Sequence, residues 1–184
     1  LGIVTLESVR ARCMVIGEDL GTVPDSVRAA MLRLGILAYR PLLFAKTASG
    51  EFVPAPQFPH DALVTVATHD MPTLAGFWQG QDLLLRTSLG LFDSNALREE
   101  QIVERSRERA RLLLALEREA LLPPTMTVNP ISAPAMTPEF ARAVHVFLAR
   151  SPAKVMTVQL EDAFGLGDQA NLPGSSQDVH PNWR

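Results

Sequence analysis

The sequence predicts an α/β protein built on a single parallel β-sheet. Two observations favour this class. Short apolar runs alternate with stretches in which apolar residues recur at helical spacing, and the short runs are apolar at every position rather than at every second one. Strands of that kind belong in a sheet covered on both faces, which is typical of parallel sheets with crossover helices. Four predicted strands suit either a small doubly wound sheet or half of a (β/α)8 barrel.

The four strands are predicted from apolar or β-branched runs that are bounded by turn residues. They lie at residues 13–16, 36–44, 62–67 and 155–160. The first run ends at Gly17, and the second is interrupted by Pro41. Residues 161–184 follow neither a helical nor a strand period, so we predict only loop there.

Helices are predicted between the strands, each from a start signal or from apolar residues at helical spacing. They span about 24–35, a stretch that begins at Pro72, about 94–122, and about 137–150. A proline opens each of the first two helices, Gly35 ends the first, and Thr137 opens the last. Between the second and third strands the sequence predicts a proline-rich loop through Pro54, Pro56 and Pro59 in place of a helix.

The composition excludes several classes of protein. Seventeen basic and 20 acidic side chains in 184 residues give a net charge of −3 without any Lys/Arg block, so nucleic acid is not an expected partner. No apolar run is long enough to span a membrane, and residues 1–12 lack the order of a signal peptide. We therefore expect a cytoplasmic protein with no membrane partner. The one cysteine, Cys13, excludes an internal disulfide.

Acidic residues follow three of the four predicted strands. Because the carboxyl ends of parallel strands share one edge of a sheet, we expect these side chains to converge there. Converging carboxylates suit acid/base and nucleophilic work on a glycosidic bond, or the binding of a metal ion. The pairs are Glu18–Asp19, His69–Asp70 and Glu161–Asp162.

Simpler roles for the same residues remain open at this point. Asp70 stands where a helix N-cap belongs. Glu18 also suits a loop salt bridge, and His69 suits a hydrogen-bonded position in the core. Trp78 and Trp183 suit either packing or stacking on a sugar ring.

Two further motifs point to other chemistry. Gly165, Gly167 and Ala170 match the dinucleotide-binding fingerprint, but no helix is predicted after them and no acid follows at the required distance. The dipeptides His60–Asp61 and His69–Asp70 resemble the ligands of metal-dependent phosphohydrolases, which present such ligands from helices. Since His69–Asp70 ends a predicted strand, a metal-dependent hydrolase is the less favoured hypothesis.

Three segments resemble the amylomaltases, also called 4-α-glucanotransferases or disproportionating enzymes. Residues 14–24 are similar to the acid/base segment of that family, and residues 68–78 are similar to a second block. Residues 171–174 and 181–184 resemble its closing segment. The similarity runs in order through nearly the whole chain.

The resemblance implies a fold and an activity. The fold is the C-terminal half, strands five to eight with their helices, of a (β/α)8 TIM barrel of the α-amylase clan. Residues 1–184 would form this half of the catalytic barrel, with a helical insertion at about 94–151. The implied reaction transfers α-1,4-glucan segments between maltodextrins by a retaining mechanism and needs no cofactor and no metal.

Four residues take roles from the resemblance. Glu18 corresponds to the general acid/base, and Asp70 to the carboxylate that grips the sugar as its ring distorts. His69 and Asn171 correspond to substrate-binding residues.

The nucleophile of the resembled family is missing from the sequence. That family carries it as an aspartate in an Arg-x-Asp-His motif, which does not occur in residues 1–184. The chain also begins with Leu1 rather than Met, which leaves open that it is a piece of a longer protein. We therefore expect the isolated chain to be inactive. The alternative is a non-catalytic domain that binds maltodextrin or associates. A half barrel leaves sheet edges uncovered, so it needs rearrangement, self-association through those edges, or the missing half.

Overall fold

A computed structural model describes residues 1–133 and 135–183, so Arg184 of the closing motif lies outside the described residues. Its sheet has four parallel strands in the order β1-β2-β3-β4, which is also their order in the chain. The α/β class with a parallel sheet is therefore confirmed. The strands are β1 (Ile16–Gly17), β2 (Leu37–Pro41), β3 (Ala62–Thr65) and β4 (Val155–Met156).

The described residues form helices before, between and after the strands, and in this part of the chain no helix is long and apolar enough to cross a membrane. The helices are α1 (Gly2–Ala11), α2 (Asp25–Arg33), α3 (Leu74–Gln79), α4 (Gln81–Ser88), α5 (Asn95–Arg118), α6 (Pro138–Ala149) and α7 (Leu160–Phe164). Short 3-10 turns lie at Leu42–Phe44, Ala55–Gln57 and Pro130–Ser132.

Hydroxyl side chains cap three of the helices, as the local sequence indicates. Ser94 accepts a hydrogen bond from the first turn of α5, and Thr137 does the same for α6, so both predicted starts are confirmed. The helix predicted from Pro72 begins two residues later. Its cap is Thr73, whose hydroxyl accepts from the Gly76 N–H at 3.0 Å.

The hydrophobic core lies between one face of the sheet and helices α3, α5 and α6. Val64 and Val66, which alternate along β3 and its extension, belong to this cluster and are fully buried. Trp78 packs edge-on against Phe140, with their ring centroids 4.5 Å apart, and its indole N–H donates to the Ala133 carbonyl at 2.8 Å. Trp78 is therefore a packing residue and not a sugar platform.

The two ends of the chain differ from the sequence prediction. Helix α1 has no counterpart in that prediction, because none of its residues is buried and no packing stripe marks it in the sequence. The last strand, which the sequence predicts to run to Leu160, ends at Met156, because β4 pairs with β3 over only two residues. The loop predicted from Glu161 onward is also wrong in its first part, since Leu160 begins α7.

Candidate active site

His69, Asp70 and Asn171 lie together beyond the carboxyl end of β3. The side-chain amide of Asn171 donates to Oδ1 of Asp70 at 2.5 Å, and its backbone N–H donates to the His69 carbonyl at 3.2 Å. The imidazole Nε2 of His69 is 3.4 Å from the same Oδ1. Gln169 adds a hydrogen bond from its amide to the Asp70 carbonyl at 2.9 Å. Three of the four predicted site residues are therefore in contact.

Asp70 is not a helix cap, although its position in the sequence suits one. Thr73 is the cap residue of α3. The Asp70 side chain stays 43% exposed, and its backbone N–H donates to the Thr68 hydroxyl at 3.2 Å. Neighbouring residues thus orient the Asp70 carboxylate, which remains accessible to a ligand from solvent.

Glu18 follows β1 at the same edge of the sheet and is exposed. No salt bridge to Glu18 is found within the described residues, so the loop salt bridge that the sequence left open is absent there. Burial raises the pKa of the Tyr39 hydroxyl on β2, and the negative charge of Glu18 raises it further. Since β2 separates β1 from β3, Glu18 and Asp70 follow strands about 9.5 Å apart.

Asp19 is buried, in contrast to Glu18 beside it. Its carboxylate receives two hydrogen bonds from the Arg40 guanidinium, at 2.6 and 2.9 Å, and one from the Tyr39 N–H at 3.0 Å. Burial by itself would raise the pKa of Asp19, but the hydrogen bonds from Arg40 and Tyr39 outweigh it and hold the pKa below its ordinary value. Asp19 is therefore a structural anchor that ties the end of β1 to β2.

The third predicted pair of acids does not end a strand. Glu161 and Asp162 lie in the first turn of α7, five and six residues beyond the end of β4, so the prediction that they directly end the fourth strand is wrong. Asp162 is buried, and its Oδ1 accepts from the Leu74 N–H of α3 at 2.7 Å. Burial raises the pKa of this carboxyl, against the lowering effects of that hydrogen bond and of His145 at 3.9 Å.

The segment after α7 is braced against the start of α3, a relationship that no pattern in the sequence indicates. The Thr73 hydroxyl donates to the Leu166 carbonyl at 2.7 Å. A Cβ added at Gly76 would lie 2.5 Å from the Gly167 carbonyl oxygen, so the two backbones approach too closely for a side chain. The glycines that match a dinucleotide fingerprint therefore have other roles: Gly165 ends α7 with a positive φ, and Gly167 packs against α3.

The metal-site hypothesis fails on position. His60 pairs with Asp61 before β3, whereas His69 and Asp70 follow β3 at its other end. Among residues 1–133 and 135–183, no group of three His, Cys, Asp or Glu side chains is close enough to hold a metal ion. The three residues His60, His69 and Asp70 thus do not form one site.

Comparisons with known proteins agree on one family. A family model described as 4-alpha-glucanotransferase matches residues 1–184. Two similar relatives carry that name, one from Haemophilus influenzae at 38% identity and one from Mycobacterium bovis at 35% identity. Each alignment covers the whole of this chain but only 26% and 25% of the relative, so the chain spans about a quarter of their length.

A solved structure shows the same architecture. The amylomaltase from Corynebacterium glutamicum superposes with a TM-score of 0.86 at 28% sequence identity, covering 99% of this chain and 26% of that one. The match of the family model over all 184 residues, with relatives above 30% identity over the full chain, is sufficient for assignment. The chain belongs to the 4-alpha-glucanotransferase family, glycoside hydrolase family 77.

Proposed function

We propose that this chain is the C-terminal half of a (β/α)8 barrel, with a helical insertion at about 94–151, in an enzyme that transfers α-1,4-glucan segments between maltodextrins. The contact of Asp70 with His69 and Asn171 at the carboxyl edge of the sheet is the main support, because barrel enzymes place their sites at that edge. The sequential strand order also favours a barrel, since a doubly wound sheet reverses its strand order.

Glu18 and Asp70 divide the chemistry in this proposal. Glu18 is the general acid/base: its protonated form gives a proton to the leaving glycosidic oxygen, and the resulting carboxylate later takes the proton of the acceptor 4-hydroxyl. Its exposure at the end of β1 leaves room for both oxygens. Asp70 accepts hydrogen bonds from sugar hydroxyls, and these strengthen as the ring distorts towards the oxocarbenium-like transition state.

His69 and Asn171 orient the Asp70 carboxylate and bind the same sugar. Asn171 holds one oxygen of Asp70 at 2.5 Å, which leaves the other oxygen for a ligand hydroxyl. The His69 ring is about half exposed and lies on the same side as Asp70 Oδ1. A carboxylate fixed before the substrate arrives loses less entropy when the sugar binds.

The nucleophile of a retaining reaction has to come from outside residues 1–184 in this proposal. A double displacement needs a second carboxylate about 5 to 5.5 Å from the acid/base, and the described acids near Glu18 do not supply one. Asp19 is engaged by Arg40, and Asp70 follows a strand two positions away. We therefore expect the isolated chain not to turn over glucan, whereas the longer protein does.

The test uses the longer protein with maltotriose as the only substrate. We expect glucose together with longer maltodextrins, and the newly formed linkages keep the α configuration when they are followed by proton NMR. Glu18→Gln should abolish this redistribution, whereas Glu99→Gln, an exposed acid on α5, should leave it intact. Hydrolysis products alone, or equal yields from Glu18→Gln, would contradict the proposal.

A non-catalytic role as a maltodextrin-binding or association domain is the second candidate. It is favoured by helix α1, whose side chains Ile3 and Val9 are 79% and 71% exposed and suit a covering partner. Calorimetric titration of the isolated chain with maltoheptaose and sedimentation at several concentrations separate the two candidates. Binding or self-association by a chain whose longer form transfers no glucan would favour the second.

A further inference from the structure

Trp183 is an exposed aromatic residue that the mechanism above does not use. Its side chain is 62% exposed, whereas Trp78 is fully buried. Its ring centroid lies 5.2 Å from that of His69, at an interplanar angle of 43°. An indole beside a substrate-binding histidine and largely open to solvent has one face available for a ligand.

The backbone holds Trp183 in an unusual conformation. Its φ is +60°, a region that bulky residues other than glycine rarely adopt, and such strain is concentrated at functional sites. The Trp183 N–H donates to the Ala170 carbonyl at 2.7 Å. The preceding residue, Asn182, is buried, and it accepts from the Leu172 N–H at 2.8 Å and donates to the Ser175 hydroxyl at 3.0 Å. The Trp183 ring is therefore attached to a backbone segment that hydrogen bonds hold in place.

The same backbone anchors the Asp70 cluster. Asn171, which follows the acceptor of Trp183, donates one hydrogen bond to the His69 carbonyl and another to the Asp70 carboxylate. The Trp183 backbone and the Asp70 carboxylate are thus hydrogen-bonded to adjacent residues, Ala170 and Asn171.

We propose that Trp183 is an aromatic platform on which one glucosyl ring of an α-1,4-glucan stacks, next to the sugar held by Asp70. This inference rests on the proposed function, since it assigns a sugar-binding subsite to the same site. A pyranose ring has faces of C–H groups and a rim of hydroxyls, and here the indole contacts a face while polar side chains bind the rim. Stacking needs no new hydrogen bond from Trp183, whose backbone N–H is already engaged by Ala170.

The first test uses the natural fluorescence of this chain, which contains two tryptophans. Iodide should quench Trp183 and not the buried Trp78, and saturating maltoheptaose should protect Trp183, with sucrose as the control for non-specific effects. Trp183→Phe should remove the iodide-sensitive emission altogether. Iodide quenching that saturating maltoheptaose leaves unchanged would overturn the platform, and this readout does not depend on glucan transfer.

The second test uses steady-state kinetics of the longer protein. Trp183→Ala should raise KM for maltotriose roughly tenfold or more with a smaller effect on kcat, and Trp183→Phe should restore most of the loss. Active wild type with an unchanged KM in Trp183→Ala would overturn the platform and leave the proposed function standing. An inactive wild type would instead overturn the proposed function, while the fluorescence test still decides on the platform. If Trp183→Ala fails to fold, the KM of Trp183→Phe and the iodide quenching of the wild type decide whether Trp183 is the platform.

Discussion

Asn171 donates a hydrogen bond to the carboxylate of Asp70 across 101 residues of sequence, at 2.5 Å. The bond joins the loop after β3 to the segment after α7, two parts of the chain that only the folded structure brings together. A charged acceptor makes such a bond stronger than a neutral one, and it leaves the Asp70 side chain in one orientation. The candidate site therefore depends on the position of two distant loops.

Replacing Asn171 should impair catalysis more than stability. Asn171→Ala removes the donor that orients Asp70, and we expect kcat of the longer protein to fall about tenfold or more, because transition-state contacts need a fixed geometry. Unfolding in urea should change by less than about 1 kcal/mol, since both partners are partly exposed. Asn129→Ala, which removes the side-chain acceptor of the Ile131 N–H at the start of the 3-10 turn Pro130–Ser132, is the control. A kcat equal to that of wild type would refute this role of Asn171.

Asp19 should stabilise the fold at neutral pH and lose this effect in acid. The folded pKa of Asp19 is below its ordinary value, so its contribution is present above about pH 4 and disappears as pH falls through the folded pKa. Asp19→Asn should lower the free energy of unfolding by about 2 kcal/mol at neutral pH, since Arg40 loses its partner while remaining partly hydrated. Urea titrations at neutral and acidic pH measure the effect.

Asp25→Asn is the matched control for Asp19. Like Asp19, Asp25 pairs with an arginine, in this case Arg28 at 3.3 Å. Because the Asp25 side chain is fully exposed, its replacement should change the free energy of unfolding little. Equal effects of the two substitutions would show that the Asp19–Arg40 contact contributes no more than a surface ion pair.

Asp162 should show the opposite pH dependence. Because burial raises its folded pKa above the ordinary value, its favourable contribution is present below about pH 4 and is lost as pH rises through the folded pKa. Asp162→Asn removes the buried charge and keeps an acceptor for the Leu74 N–H, so its stability should vary less with pH than that of wild type. Asp162→Ala leaves that N–H without its acceptor and should cost about 1 to 3 kcal/mol. Parallel pH dependence in wild type and Asp162→Asn would rule out this account.

Gly76→Ala should weaken the packing of α3 against the segment after α7. The added methyl group would lie 2.5 Å from the Gly167 carbonyl oxygen, and backbone on both sides prevents an easy adjustment. We expect a loss of about 1 to 3 kcal/mol of unfolding free energy and reduced glucan transfer by the longer protein. Gly2→Ala on α1 is the control, since a methyl group added there would meet nothing within 4 Å. Unchanged thermal stability of Gly76→Ala would argue against close packing here.

Local sequence patterns predict the helices and strands in the middle of the chain, but they do not predict those near its two ends. We could predict the caps at Ser94 and Thr137 and the buried strand β3 from the sequence. A hydroxyl at a helix start and a short apolar run depend only on residues close together in the chain. Helix α1 buries no residue, and β4 has only two paired residues, so neither leaves a periodic signal. The predicted placement of Glu161 and Asp162 is wrong for the same reason.

The sequence by itself determined the α/β class, the parallel sheet and the family, because periodicity, turn residues and three ordered motifs are all local properties of the chain. It also selected Glu18, His69, Asp70 and Asn171 as candidate site residues. Only the tertiary structure decided that Asn171 reaches Asp70, that Asp19 is an anchor, and that Trp183 stands beside His69. Those contacts join residues far apart in the chain, and no local pattern encodes the backbone path that brings them together.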